Sequence, residues 1–185
     1  QEALEQEPLQ AVAAAGEADA ASGDAETAPV APAVNVAPGI FRAYDIRGVV
    51  CSELNAATAT LIGQAIGSQM QAQGLRDVVV GRDGRLSGPE LAHALIDGLR
   101  RAGCEVIDIG MAPTPVVYFA AYHLRAGSCV AITGSHNPPE YNGFKIVIGG
   151  ETLAGDAITA LYERIRDGQL HRADALGGLQ QREVI

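Results

Sequence analysis

Ser135, His136, Asn137 and Lys145 stand together in residues 133–145, which read TGSHNPPEYNGFK. Lys145 is the only lysine in a chain with twelve arginines, so lysine does not serve here as general surface filler. Arg47, Arg82 and Arg85 lie in loop-like sequence and, with Tyr44, are candidates to face the same serine. A hydroxyl ringed by cations suits a phosphoryl group better than an acyl group. A phosphoserine carries about −1.5 to −2 charges, which Lys, Arg and His stabilise through charge-assisted bonds. Two other chemistries fail on spacing. Residues 134–138, GSHNP, lack the second glycine of a nucleophile elbow, and Gly143-Phe144-Lys145 lacks the frame of a phosphate-binding loop.

The chain around Ser135 explains how it could be presented. The apolar run 129–132 stops at Gly134, which lets the backbone turn, and Pro138-Pro139 bars an ordinary helix or central strand directly afterwards. Ser135 is therefore expected on a stiff, exposed loop at a strand end. Asn142-Gly143 predicts a hairpin turn, and residues 144–148 alternate like a returning strand that brings Lys145 back to the mouth.

The elements that must position these residues follow in order. Residues 40–50 predict a short strand and loop presenting Tyr44 and Arg47. Asn55 caps a helix carrying Leu61, Ile62, Ala65, Ile66 and Met70, which Gly74 stops. Residues 77–81 read as a buried parallel strand, followed by the loop Arg82-Asp83-Gly84-Arg85. Ser87 and Glu90 have the spacing of a capping box for a helix ending at Gly103. The pattern repeats with strand 104–109, a turn at Gly110, a helix opened by Thr114-Pro115, strand 128–132, and a last helix 156–167 turning Ile158, Leu161 and Ile165 inward. This alternation predicts an α/β fold, a three-layer domain with a mixed, largely parallel sheet between helices. Ligands of such sheets gather beyond the carboxyl ends of the strands, where loops 82–85, 111–114 and 133–139 fall.

Composition separates residues 1–38 from the rest. They hold no aromatic, no Lys and no Arg, seven acidic residues, and runs such as 28–33, APVAPA. Such a segment buries too little apolar surface to offset its ordering entropy, so a disordered linker or tail is expected before a domain over 39–185. The tail's acids account for most of the formal net charge of −9, leaving the domain near −2. Near-neutrality without a basic stripe speaks against a nucleic-acid partner. No run approaches the ~20 apolar residues of a membrane helix, and no signal peptide opens the chain. Cys51, Cys104 and Cys129 are odd in number and set among apolar neighbours, which predicts buried free thiols in a reducing, cytoplasmic setting. His93, His123 and His171 lack metal-ligand spacing and read as surface or packing residues. The first residue is Gln rather than Met, so a piece of a longer protein is expected.

Four motifs in order, FRAYDIRG at 41–48, VGRDGR at 80–85, GMAPTP at 110–115 and TGSHNPPEYNGFK at 133–145, closely resemble the first, phosphoserine-bearing domain of the α-D-phosphohexomutases. The bacterial phosphomannomutase/phosphoglucomutase branch is nearest. Phosphoglucosamine mutases share the serine loop but differ in the opening motif, and a non-catalytic sugar-phosphate-binding domain is a further alternative. The resemblance implies an enzyme interconverting hexose 1-phosphate and hexose 6-phosphate of mannose or glucose through a hexose 1,6-bisphosphate. It implies that Ser135 is the phosphoryl carrier, with His136, Lys145 and Arg47 catalytic and Tyr44, Asn137 and Arg85 contacting substrate. It also implies Mg²⁺, held by Ser135 only through its phosphate. The family's metal loop, sugar-selecting loop and phosphate-clamping domain are expected beyond Ile185, so the chain alone should turn over negligibly.

Overall fold

The computed structural model describes residues 34–184. The expected tail over 1–38 therefore lies outside the described residues up to position 33. Its last residues are packed: Val36 is buried in the main core, and a short 3₁₀ helix spans Pro38–Ile40.

The chain then runs through β1 (Ile46–Val49), α1 (Ala56–Ala72), β2 (Asp77–Arg82), α2 (Gly88–Arg101), β3 (Glu105–Met111), α3 (Thr114–His123), β4 (Cys129–Ile132), β5 (Tyr141–Ile148), β6 (Glu151–Thr152), α4 (Asp156–Arg166) and β7 (Leu179–Gln181). The sheet order is β1-β5-β4-β2-β3-β7, with β6 beside β5. β4, β2, β3 and β7 are mutually parallel, while β5 is antiparallel to both β4 and β1. The alternating faces of the strands divide the core. Val78, Val80, Val130, Ile132, Phe144 and Ile146 pack with α1, α2 and α4 on one side. Val79, Cys129 and Ala131 pack with Val117 and Ala120 of α3 on the other. This is the three-layer arrangement that the strand–helix alternation requires. Among the described residues no helix is long and apolar enough to cross a membrane.

Local signals held where they depended on neighbours in sequence. The Asn55 side chain accepts the Thr58 N–H at 2.9 Å, capping α1, and Gly74 takes a left-handed φ of 74° just past its end.

Others were overridden by tertiary contacts. Asn142-Gly143 is not a turn: both residues lie inside β5, opposite Gly48 and Arg47 of β1. A Cβ on Gly143 would stand 2.1 Å from the Ile46 carbonyl oxygen, so glycine is needed there for strand approach. Ser87 makes no capping bond to α2; its Oγ instead accepts the Asn142 Nδ2–H at 2.8 Å. Gly110, expected as a turn, lies within β3 at a register shift against β2, with φ 70°. Thr114 is the first residue of α3, and Pro113 occupies the cap position. β7, parallel to β3, was not foreseen because it is only three residues long, all exposed, with two glutamines after Leu179. Cys51 is exposed rather than buried, while Cys104 and Cys129 are buried as expected.

Candidate active site

The loop from Thr133 to Glu140 leaves the carboxyl end of β4, and its neighbours explain its shape. Asp83, directly after β2, donates its N–H to the Ile132 carbonyl at 2.9 Å. Its carboxylate accepts the Arg85 N–H at 3.0 Å and the Gly134 N–H at 3.2 Å. Thr133 Oγ1 accepts the Ser135 N–H at 2.9 Å, and Asn137 donates from Nδ2 to the Gly134 carbonyl at 2.9 Å. Ser135 is thereby held at φ 53°, a left-handed conformation uncommon for a residue with a side chain. Ser135 and His136 are both exposed, so the hydroxyl faces solvent from a fixed backbone.

Arg85 reaches across to the serine loop. Its Nη1 donates to the carbonyls of Pro138 at 2.7 Å and Tyr141 at 2.8 Å, and its Nη2 to those of Asn137 at 2.7 Å and Ser135 at 3.2 Å. Nε faces the Asp83 carboxylate at 3.5 Å. The guanidinium thus bonds three carbonyls of the loop and that of Tyr141 at the start of β5, with Asp83 beside it. Gly134 is the point of closest approach: a Cβ there would stand 2.1 Å from Arg85 Cζ. Only a residue without a side chain lets the guanidinium lie against the backbone.

Lys145 and Arg47 come together on the other side of the loop's base. Lys145 pairs across the strands with Ala131, and Arg47 with Gly143. The two-residue alternation of strands puts Asp45, Arg47, Gly143, Lys145 and Ala131 on the face that carries α3, with Thr133 continuing that row. The small residues Gly143 and Ala131 leave room for the long cations. Lys145 Nζ lies 3.7 Å from Asp45 Oδ2, and Arg47 Nη2 donates to the same oxygen. Tyr118 of α3 shares this face; burial pushes its phenol up, and the Cys129 and Asp45 charges add to the rise.

Other expected members are placed less centrally. β1 does run in the direction of β4, but Tyr44 precedes it and is 76 % exposed at its amino end. The end that meets the loop is the carboxyl one, where Val50 N–H donates to the Glu140 carbonyl at 2.8 Å. Asn137 is half-buried with its side-chain amide spent on the loop. His93, His123 and His171 are exposed, as expected. An open hollow of about 540 Å³ lies beside the loop, lined by Cys51, Leu86, Asn137, Pro139 and Glu140 among others, but not by Ser135 or His136.

Asp45, Asp83 and Thr133 were missed as site residues. The signal for Asp45 was its place two residues before Arg47 in the segment expected as a short strand, a spacing that puts both on one face. Asp83 is the local ion-pair partner that the spacing of loop 82–85 offers Arg85, but its bond to Gly134 depends on a loop about fifty residues away. Among the described residues no group of three or more His, Cys, Asp or Glu side chains could hold a metal ion.

A family model described as phosphoglucomutase/phosphomannomutase, alpha/beta/alpha domain I, matches residues 38–172. Phosphomannomutase/phosphoglucomutase of Pseudomonas aeruginosa is 56 % identical over 158 residues, which cover 85 % of this chain and 33 % of that protein. Phosphoglucomutase of Neisseria meningitidis is 46 % identical over 150 residues, covering 81 % of this chain and 33 % of the relative. A crystal structure of a phosphoglucomutase/phosphomannomutase family protein from Burkholderia thailandensis superposes with a TM-score of 0.78 at 51 % identity, over 81 % of this chain and 34 % of that one. The chain thus spans about a third of the length of these relatives. With its three-layer fold, its strand-end serine loop and this match over most of its length, the chain belongs to the phosphoglucomutase/phosphomannomutase family, whose α/β/α domain I it contains.

Proposed function

We propose that this domain is the phosphoryl carrier of a hexose-phosphate mutase acting on mannose or glucose phosphates. The observation that supports this most strongly is Ser135 itself, an exposed hydroxyl on a backbone held rigid by Arg85, Asp83 and Thr133. In the resting state Ser135 Oγ carries a phosphoryl group. A free hydroxyl of a hexose 1- or 6-phosphate attacks the phosphorus in line, the P–Oγ bond breaks, and a new P–O bond gives the hexose 1,6-bisphosphate. The attacking hydroxyl loses its proton to a base, and the departing Oγ takes up a proton to become the serine hydroxyl. After the bisphosphate turns over, Oγ gives up that proton as it takes the other phosphoryl group back, and the sugar oxygen regains one. Such a transfer depends mainly on alignment and charge neutralisation.

His136 beside the carrier, and Lys145 and Arg47 at the loop's base, are the cations available to the transferring group. Lys145 and His136 are also the groups able to exchange the hydroxyl's proton. Asn137 and Tyr44 are proposed substrate contacts, Asn137 through the carbonyl end that its loop bond leaves open. Arg85 acts by holding the loop.

Mg²⁺ is the metal this family reading implies. The described residues form no acidic cage for it, so this chain's contribution is a phosphate oxygen on Ser135, and the step above does not run through the ion. The buried thiols of Cys104 and Cys129 suit a reducing, cytoplasmic setting. The remaining domains of the parent protein are the proposed partners that close the site and select the sugar.

The test is conversion of glucose 1-phosphate and mannose 1-phosphate to the 6-phosphates by the parent enzyme, its Ser135→Ala variant and this chain alone. Activity in the parent, its loss in the variant and negligible turnover by the chain alone are expected. Undiminished activity in Ser135→Ala would overturn the reading.

A further inference from the structure

Asp45 carries no role in the function proposed above, yet its carboxylate is the meeting point of both cations at the loop's base. It is 8 % exposed, and a carboxylate this buried is unfavourable unless paired. The pairing here is shared in place: one oxygen, Oδ2, receives Arg47 Nη2 from β1, which starts one residue after Asp45, and stands 3.7 Å from Lys145 Nζ on β5. Arg47 Nε is buried with no hydrogen-bond partner, so its guanidinium is held mainly through the bond to Asp45. Lys145 has no other ion-pair partner among the described residues. Opposite Arg47 lies Gly143, and opposite Lys145 lies Ala131, neither of which can fix a long side chain by packing. A lysine carries the rotamer entropy of a four-carbon stem, and without a fixed partner its ammonium samples many positions.

We propose that Asp45 is a positioning residue for phosphoryl transfer: its single carboxylate aligns Arg47 and Lys145 together on the sheet face that runs up to the Ser135 loop. The inference rests on the carrier reading. Asp45 does not touch the reacting atoms; it sets where the two cations wait. The two cations repel each other, and the carboxylate oxygen they share is what holds them in adjacent places.

The test uses Asp45→Asn, which keeps shape but removes charge, and Asp45→Glu, which keeps charge on a longer arm, with Ser135→Ala as control. In the parent enzyme, Asp45→Asn is expected to lower kcat roughly a hundredfold, as misplacement of an aligned group does, with KM changed less than about threefold. Asp45→Glu is expected to recover part of the loss. A second readout is independent of activity. Because Lys145 is the only lysine of this chain, selective ¹⁵N labelling of lysine Nζ gives one ammonium resonance. That resonance is expected to show a restricted ammonium in the wild-type chain and a freely moving one in Asp45→Asn. Wild-type kcat in Asp45→Asn, or a Lys145 signal that does not change with the substitution, would overturn the positioning role. A parent enzyme in which Ser135→Ala is fully active would instead defeat the carrier reading, while the Lys145 signal would still decide whether Asp45 orders the cation.

Discussion

Arg85 donates to the backbone carbonyl of Asn137 at 2.7 Å across 52 residues of sequence, and two further carbonyls of the same loop and that of Tyr141 at the start of β5 share its guanidinium. The side chain is only 16 % exposed, and its bonds to Asn137 and Tyr141 are partly buried. The loop that presents Ser135 is therefore built around an arginine from another strand end. Hydrogen bonds to charged groups are worth about 1.5–3 kcal/mol each, though not additively. Arg85→Ala is expected to destabilise the chain by about 2–4 kcal/mol in urea unfolding. Arg85→Lys should recover little of this, because one ammonium cannot reproduce the planar fork. A variant with unchanged stability would show that the loop holds its shape without the clamp.

The left-handed backbone of Ser135 predicts a conflict between stability and function. Left-handed φ costs a residue with a side chain roughly 1 kcal/mol relative to glycine. Ser135→Gly should raise the unfolding free energy by about that amount while abolishing phosphoryl transfer. Measured denaturation midpoints of Ser135→Gly and Ser135→Ala separate the two effects, with only the glycine variant gaining stability. A glycine variant no more stable than Ser135→Ala would mean that the serine's backbone is unstrained.

Asn142 and Gly143 test the junction of β1 and β5. Asn142 is fully buried, donates to Ser87 Oγ at 2.8 Å, and accepts the Gly143 N–H at 2.9 Å. Truncating it to alanine leaves polar groups without partners and should cost about 1–3 kcal/mol. Gly143→Ala should cost at least as much, since its new methyl would meet the Ile46 carbonyl. Hydrogen exchange of the Ile46–Val49 amides is the specific readout, with faster exchange expected in Gly143→Ala.

Burial of two thiols gives a pH dependence of known sign. Burial pushes the Cys104 and Cys129 thiols up to about 12 from an ordinary 9. The neutral thiol is the form the fold holds, so this contribution to stability is full below pH 9. It is lost as pH rises from 9 towards 12, because there the unfolded chain ionises and the native one does not. Denaturant titrations at pH 8 and pH 10.5 should show the drop, and Cys104→Ala with Cys129→Ala should reduce it. At pH 8 a thiol reagent should modify Cys51 quickly and the other two only on unfolding.

The order of strands and helices was legible because it is written in short-range periodicity, as was the serine's place at a strand end. What escaped were features decided by distant partners. Asn142-Gly143 has the composition of a hairpin turn, but pairing with β1 draws both residues into the sheet. Ser87 has capping-box spacing, but the buried Asn142 amide competes for its hydroxyl. Arg85 reads as a free loop cation until the carbonyls of residues 135, 137, 138 and 141 are brought round it. Cys51 looks buried from its neighbours Val49 and Val50, yet it stands outside the core in a left-handed turn after β1.

In the proposed cycle Ser135 gives and recovers a phosphoryl group. The most direct measurement is peptide mass mapping of residues 133–145 in the parent enzyme before and after excess glucose 6-phosphate, with hexose 1,6-bisphosphate followed in solution. One phosphate on Ser135 is expected at the start, with its loss as an equal amount of bisphosphate appears and its return when bisphosphate is added back. A parent enzyme that interconverts the sugar phosphates while Ser135 never carries phosphate would contradict it.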